Sequence, residues 1–268
     1  MINIKTKEEI EIMKHAGKIL AEVLFEVLKN AKPGVTELEL DGLAEKLILE
    51  KGAEPAFKRV EGYKHTICVS TNEVVVHGIP TDYKLKEGDI LGIDCGVFYK
   101  GFNTDMAETL RVSTQNSRQR RGSPKAAKLK AQNYDKIDRF LEIGKKALKE
   151  GIKQAKEGNR VGNISKSIQD IVESEGYSVV RSLVGHGVGK ELHEEPEVPG
   201  FLVGKIEDTP LLKQGMTIAV EVIYNMGKSE LVYSNDDGWT ISTKDGSMSG
   251  LFERTIAITG KEPLILTS

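Results

Sequence analysis

The amino-acid sequence of 268 residues predicts an α+β fold, in which helices cover a largely antiparallel β-sheet and the chain forms two related halves. Two observations lead to this prediction. Segments with the apolar spacing of helices alternate with pairs of β-patterned runs along the chain. One pattern, a helix followed by an acid-bearing strand, also occurs twice and indicates an internal repeat.

Composition limits the classes of protein to which the chain can belong. The hydrophobic content is 39%, and 38 Lys and Arg side chains nearly balance 40 Asp and Glu side chains. A formal charge of -2 gives little general attraction for DNA or for an acidic membrane. Cys68 and Cys95 are too few for a disulfide framework, and no signal-peptide pattern or membrane-length apolar run occurs. We therefore expect a cytoplasmic protein, and we separately expect a monomer.

Two helices are predicted in the first part of the chain. Thr6 and Glu9 form a capping box ahead of an apolar stripe, which predicts a helix over residues 6–30. A second capping box, formed by Thr36 and Glu39, starts another helix with its own apolar stripe. Both helices are expected to serve as scaffold.

The next β-patterned segment ends at a histidine. Residues 66–76 are rich in β-branched side chains around a Thr-Asn-Glu break, which predicts a β-hairpin. His77 follows directly, where the strand opens into a loop. A histidine in such a place is more often a surface or hydrogen-bonded residue than a catalytic one, and both interpretations stay open at this point.

A central hairpin is predicted over residues 89–110, where two apolar runs flank a short polar break. If the turn lies at Tyr99 and Lys100, Asp94 and Asp105 face each other on adjacent strands with Cβ atoms about 5 Å apart. Two ionised carboxylates there repel by roughly 3 kcal/mol at an effective dielectric constant of about 20. A shared divalent cation would remove this repulsion, and the alternative is a bulge that turns one acid toward solvent.

Residues 112–133 form a basic insertion, and residues 113–132 within it have almost no large apolar side chains and so cannot contribute to a core. Its basic residues are Arg118, Arg120, Arg121, Lys125, Lys128 and Lys130. One interpretation is a mobile, solvated insertion, and the other is contact with a local anionic partner such as ribosomal RNA. Helical spacing of apolar residues resumes at Ile137.

An internal repeat relates the two halves of the chain. Residues 33–52 and 157–176 have equal length and place apolar residues at matching positions. Asp94 and Glu221 each lie six residues after the glycine of a Leu-Lys-X-Gly sequence. Two related halves would bring carboxylates from both to one centre.

A second informative segment, residues 185–196, contains His186 and His193 among glycines and a proline, which predicts a loop or a bent strand. Glycines on both sides of His186 allow the imidazole and backbone to approach an ion or substrate closely. Glu221 and Glu253 are single acids in β-patterned runs. An acid in a strand usually faces solvent, but Glu221 interrupts an apolar run, so we expect a buried carboxylate that needs a partner.

These residues resemble the type I methionine aminopeptidases, which are metal-dependent peptidases with the pita-bread fold. The resemblance covers the chain from Thr6 to Thr259, and it depends on the blocks 72–80, 89–105, 185–196, 216–221 and 239–253. It implies that residues 1–268 form one catalytic domain with two pseudo-symmetric halves and a curved sheet. The implied activity is hydrolytic removal of the initiator methionine from nascent proteins and peptides, with a preference for a small second residue.

The resemblance also implies a dinuclear centre of divalent metal ions. The implied ligands are Asp94, Asp105, His186, Glu221 and Glu253, with Asp105 and Glu253 bridging both ions. Four carboxylates and one imidazole suit Co, Mn, Fe or Zn and do not select among them.

Catalytic and substrate-binding roles are implied in the same way. Glu221 would accept the proton of the attacking water, His193 would stabilise the developing oxyanion, and His77 would contact the scissile amide nitrogen. The pocket for the terminal methionine would be lined by Phe57, Val60, Tyr63, Cys68, Leu192 and Trp239. This apolar and partly aromatic set suits a thioether side chain.

The chain departs from the family pattern at Leu192, Val222 and Arg254, where phenylalanine, proline and histidine are common. None of these departures removes a ligand. A proline-directed aminopeptidase shares the ligand set, but such enzymes usually carry a preceding domain, and here His77 occurs too early for one. A non-catalytic relative that binds ribosome or RNA would characteristically lose ligands, whereas all five are present.

Overall fold

The structure is a computed structural model that describes residues 2–114, 124–234 and 236–268, with the backbone alone for residues 124–131. The helices in these ranges are α1 (Lys7–Asn30), α2 (Glu37–Glu50), α3 (Pro124–Gln154) and α4 (Val161–Ser174). The predicted starts of α1 and α2 are confirmed, because Thr6 and Thr36 each complete a capping box with a glutamate. None of the helices described is long and apolar enough to span a membrane.

The strands of the same ranges form three sheets in which all assigned pairs are antiparallel. They are β1 (Glu54–Pro55), β2 (Ile67–Thr71), β3 (Val74–Val76), β4 (Ile90–Tyr99), β5 (Phe102–Arg111), β6 (Ser178–Val179), β7 (Gly185–Gly187), β8 (Glu194–Val198), β9 (Thr217–Asn225), β10 (Leu231–Tyr233), β11 (Ile241–Thr243), β12 (Ser249–Ala257) and β13 (Leu264–Ile265). The first sheet contains β1, β2, β4 and β5, and the second contains β3, β10 and β11. The third contains β6 to β9, β12 and β13.

The two related halves are visible in the backbone. An isolated antiparallel bridge joins Thr36 to Lys84 just before α2, and the equivalent bridge joins Arg160 to Leu211 just before α4. α1 packs on β4 and β5, whereas α3 packs on β9 and β12, and each half has its own hydrophobic core. The halves meet where β5 lies against β12. The predicted α+β architecture is confirmed.

The turn of the central hairpin lies one residue later than predicted. Tyr99 pairs with Phe102, so the turn consists of Lys100 and Gly101, whose φ angles are 47° and 88°. Two positive φ angles match the right-handed twist of the flanking strands, which explains why the chain turns there.

This shift corrects the predicted relation between the two aspartates. Asp94 lies opposite Ala107, and Asp105 lies opposite Gly96. Because positions two apart on a strand share a face, the two carboxylates are diagonal neighbours on one face and are not directly opposed.

The prediction that the two strands within residues 66–76 pair with each other is also wrong. β2 pairs with β4, whereas β3 pairs with β11 in a different sheet. Asn72, between them, has a φ of 58°, and its side chain bonds to Asp89 and to the backbone N–H of Ile90. These contacts turn the chain away from β2.

α3 begins at Pro124, well before the apolar spacing resumes at Ile137. The intervening residues are rich in Ala and Lys, which favour a helix without forming an apolar stripe. Within the basic insertion, residues 115–123, including Arg118, Arg120 and Arg121, lie outside the described ranges.

Candidate metal centre and adjoining pocket

Five potential ligand residues come together where the two halves meet. Asp94 lies on β4, Asp105 on β5, His186 on β7, Glu221 on β9 and Glu253 on β12. Glu221 and Glu253 are directly opposed in the pairing of β9 with β12. All five residues line one cavity. The strands therefore bring donor groups from both halves to one place.

Asp105, His186 and Glu253 form the tightest part of this cluster. One potential ligand atom from each lies within 4.8 Å of the other two. Nε2 of His186 is 4.0 Å from Oδ2 of Asp105, and Nδ1 is 2.8 Å from the carbonyl oxygen of Gly187. Because Nδ1 must donate to that carbonyl, the neutral ring keeps a free lone pair on Nε2.

The four acids are unfavourable as anions in the absence of a cation. Burial raises the pKa of Asp94 to about 7, and burial together with the charge of Asp94 raises that of Glu221 to about 8. Burial and the neighbouring carboxylates raise the pKa of Asp105 and of Glu253 well above their ordinary values. One buried carboxylate oxygen of Asp94, Oδ1, has no hydrogen-bond partner in the described part of the chain.

The donor set fits divalent cations. The described residues that line the cavity include neither lysine nor arginine, so no basic side chain there neutralises the acids. Buried carboxylates need compensating charge, and a set of four carboxylates and one imidazole is chemically suited to Mn, Fe, Co or Zn. The residues present therefore match a metal centre in both charge and ligand type.

The same cavity, about 220 Å³ in volume, has an apolar end. All six residues predicted for a methionine pocket line it: Phe57, Val60, Tyr63, Cys68, Leu192 and Trp239. Tyr63 is held by a 2.8 Å hydrogen bond from its hydroxyl to the carbonyl of Ile67 and by edge-on contact with Trp239. Burial raises the pKa of the Cys68 thiol, which stays neutral and apolar.

Two further histidines, His77 and His193, border the cavity. The φ of His77 is 55°, in the left-handed region where non-glycine residues are uncommon. The ring of His193 contacts that of His186, with centroids 4.3 Å apart. Burial lowers the pKa of all three histidines, and that of His186 falls to about 4. Each imidazole is therefore neutral at pH 7 and has one N–H donor.

Sequence reasoning missed part of the apolar lining, namely Val76, Leu183, Val184, Ile223 and Leu251. Ile223 and Leu251 are directly opposed and lie two residues from Glu221 and Glu253. Strand alternation could have identified this pair, because positions two apart share a face. Leu183 and Val184, which precede β7, lie in irregular backbone, and the sequence carries no comparable signal for such a segment.

A buried acid cluster between two related halves, beside an apolar pocket, is the site of a metal-dependent hydrolase. The sequence matches the model of metallopeptidase family M24 over residues 11–259. The chain belongs to this family.

Individual relatives agree with this assignment over their whole length. A methionine aminopeptidase of Clostridium perfringens is 41% identical over 100% of this chain and 99% of its own length. Methionine aminopeptidase 1 of Bacillus subtilis is 42% identical over 97% of this chain and 96% of its own length.

Solved structures confirm the pita-bread fold expected from the sequence. The methionine aminopeptidase of Thermotoga maritima superposes with a TM-score of 0.88 at 40% identity, covering 100% of both chains. A prolidase of Pyrococcus horikoshii OT3 superposes with a TM-score of 0.73 at 24% identity, covering 99% of this chain and 63% of that one. At that identity the prolidase shares the fold alone.

Proposed function

We propose that this protein is a metal-dependent aminopeptidase that hydrolyses the bond after an N-terminal methionine in peptides and nascent chains. One observation carries the proposal: an apolar, partly aromatic pocket opens directly onto a cluster of four acids and a histidine within a single cavity. The full-length similarity to methionine aminopeptidases of other organisms supports it.

In this proposal, five residues hold two divalent ions of Co, Mn, Fe or Zn: Asp94, Asp105, His186, Glu221 and Glu253. Such ions, when bound, activate a water molecule, polarise the scissile carbonyl and hold the free amine of the substrate. The direct opposition of Glu221 and Glu253, and the diagonal relation of Asp94 and Asp105, support a compact ligand set.

Three residues act on the reacting atoms in the proposed mechanism. Glu221 accepts the proton of the attacking water, and its raised pKa in the metal-free protein reflects the burial that favours this role. His193 donates a hydrogen bond to the oxyanion that develops on the scissile carbonyl. His77 contacts the scissile amide nitrogen. Burial keeps both imidazoles neutral at pH 7, so each offers an N–H without adding charge to the site.

Substrate selection follows from the shape of the cavity. The methionine side chain enters the apolar end, where the rings of Tyr63 and Trp239 meet edge-on and the neutral Cys68 thiol adds a polarisable surface. We also propose that the site selects a small second residue, as the resemblance to the methionine aminopeptidases implies. Contact with the ribosome through residues 112–133, a monomeric state and a cytoplasmic location remain predictions.

The proposal is tested with three tripeptides and metal-loaded protein: Met-Ala-Ser, Met-Leu-Ser and Ala-Pro-Ser. We expect release of methionine from Met-Ala-Ser about 10- to 200-fold faster than from Met-Leu-Ser, because several extra methylenes must be excluded from a small site. Products are followed by mass spectrometry. Cleavage of Ala-Pro-Ser alone would assign a proline-directed aminopeptidase, and absence of all cleavage with metal bound would assign a non-catalytic relative.

A further inference from the structure

The position of His193 depends on the loop that carries it. Residues 188–193 connect β7 to β8 without regular structure, and they present Leu192 and His193 to the cavity. The imidazole of His193 contacts the ring of His186 but makes no hydrogen bond to any residue that the structure describes. The backbone of the loop therefore decides where this imidazole lies.

Both ends of the loop contact a single side chain from the N-terminal segment. Nζ of Lys5 is 2.5 Å from Oε2 of Glu194, and each of these side chains is only 4% exposed. At the other end, a Cβ added to Gly189 would lie 2.5 Å from Cε of Lys5, so the lysine stem packs directly on that glycine. The backbone N–H of Lys5 is itself anchored, 2.7 Å from the carbonyl of Gly215.

Glu194 also bonds to the backbone within the loop. Its second oxygen, Oε1, accepts a hydrogen bond from the backbone N–H of Glu191 at 3.3 Å. Burial raises the pKa of Glu194, but hydrogen bonds from Lys5 and Asn3 and the charge of Lys5 lower it below its ordinary value. The carboxylate is therefore ionised and accepts from both partners at neutral pH.

The opposite side of the loop is attached to the strand that carries Asp105. Asn103, two residues earlier on β5, is buried, and its side-chain Nδ2 donates to the carbonyls of Gly189 and Lys190 at 3.1 and 2.9 Å. Its backbone N–H donates to Gly189 at 2.7 Å. The loop is thus fixed to the metal-binding strand on one side and to Lys5 on the other.

We propose that Lys5 is a positioning residue for the aminopeptidase reaction, because its buried ion pair with Glu194 fixes the loop that places His193 against the substrate. This inference rests on the proposed function. A buried ion pair is commonly no more stabilising than an apolar pair of similar volume. The Lys5–Glu194 ion pair therefore contributes to the geometry of the loop and not to stability. A shift of about 1 Å in a catalytic group can reduce turnover about 100-fold.

The double variant K5M/E194M separates positioning from stability. It removes both charges, so no unpaired buried charge remains, and we expect a melting temperature close to that of wild type. It also removes the bond to the N–H of Glu191, so we expect kcat for Met-Ala-Ser to fall about 10- to 100-fold with KM changed less than about threefold. Glu194→Gln keeps one acceptor oxygen for two donors and leaves the Lys5 charge unpaired, so we expect kcat to fall in this variant as well.

A matched control removes an ion pair of the same length elsewhere. Lys51, directly after α2, and Glu22 on α1 form a partly exposed ion pair of 2.5 Å far from the loop, and K51M/E22M should leave kcat unchanged within about twofold. A mutant cycle that combines K5M/E194M with His193→Ala, measured in kcat, shows whether Lys5 acts through that histidine. We expect the triple variant K5M/E194M/H193A to be no slower than His193→Ala alone, because a positioning residue has no effect once its target is removed.

Amide hydrogen exchange gives a readout that does not depend on turnover. We expect faster exchange in residues 189–194 of K5M/E194M and unchanged exchange in β9 and β12. The inference would be overturned if folded K5M/E194M keeps kcat within about twofold of wild type. It would also be overturned if the loss of kcat in K5M/E194M multiplies with the loss caused by His193→Ala. If wild type itself does not cleave Met-Ala-Ser, the proposed function fails instead. Unaltered exchange in the loop overturns the inference in either case.

Discussion

At the scale of single residues, the strongest evidence for a metal centre comes from Asp94. One of its carboxylate oxygens is buried without a partner among the described residues, and burial raises its pKa to about 7. A fold tolerates such a group when a ligand compensates it in the functional state. We therefore expect Asp94 to be needed for metal binding and not for folding.

Asp94→Ala tests this expectation. The change removes one ligand and one buried charge, so we expect the metal content to fall and turnover of Met-Ala-Ser to drop about 100-fold or more. The metal-free variant should melt at or above the temperature of metal-free wild type, because a repulsive carboxylate has been removed. Asp208→Ala, at an exposed acid outside the cavity, is the matched control and should change neither quantity. Full turnover in Asp94→Ala would contradict the assigned role.

The three departures from the family pattern differ in what they touch. Val222 is fully buried in the core beneath α3, and Arg254 donates to the carbonyl of Ala107 and the carboxylate of Glu108. Because strand side chains alternate, residues next to Glu221 and Glu253 point away from the cavity. Only Leu192 lines the cavity, so the departure that bears on substrate shape is Leu192.

At the scale of elements, the glycines beside His186 have a packing role that the sequence did not predict. A Cβ on Gly185 would lie 2.5 Å from the carbonyl oxygen of Ala219, and one on Gly187 would overlap the backbone of Glu195. These glycines therefore let β7 fit between β8 and β9. Close packing of three backbones excludes side chains there.

Gly185→Ala should therefore disturb the strand that carries His186. We expect a loss of about 1–3 kcal/mol in the free energy of unfolding and weaker metal binding, because the added methyl forces β7 away from β9. Denaturant unfolding and metal titration measure the two effects. The control is Gly42→Ala on the exposed face of α2, where a Cβ meets nothing within 4 Å. Alanine should stabilise that helix by about 0.5–1 kcal/mol. Equal stability of the two variants would contradict this account of Gly185.

Some element-level features could be predicted from the sequence because their causes are local. The capping boxes at Thr6 and Thr36 locate two helix starts, since both partners lie within one turn. The turn between β4 and β5 lies one residue later than predicted, and the pairing register therefore differs by two residues, because the positive φ of Lys100 is unusual for lysine. The different sheets of β2 and β3 also depend on distant partners that no local pattern specifies.

At the scale of the whole molecule, the internal repeat predicted that acids from both halves meet, and the structure brings them together. The repeat is informative because two similar halves packed symmetrically place equivalent strands at their interface. The contribution of irregular segments could not be predicted in the same way. The buried contact of Lys5 with the loop before β8 joins residues 189 positions apart, and no periodicity signals such a pair.

The convergence of four acids makes the stability of the whole metal-free protein depend on pH. Each of these acids has a folded-state pKa above its ordinary value, so folding retains protons that the unfolded chain has already lost. Stability from such a group is present at low pH and declines as pH rises toward the folded-state pKa, by about 1.4 kcal/mol per pH unit for each group. For Asp94 and Glu221 this decline ends near pH 7 and pH 8.

The central claim, that donor groups from both halves form one cation-binding cluster, is tested most directly by thermal unfolding of chelator-treated protein. We measure the melting temperature from pH 6.5 to 8 with and without added Mn²⁺. We expect the metal-free protein to melt at progressively lower temperature as pH rises, and Mn²⁺ to raise the melting temperature most at pH 8. A melting temperature that responds neither to pH in this range nor to Mn²⁺ would contradict it.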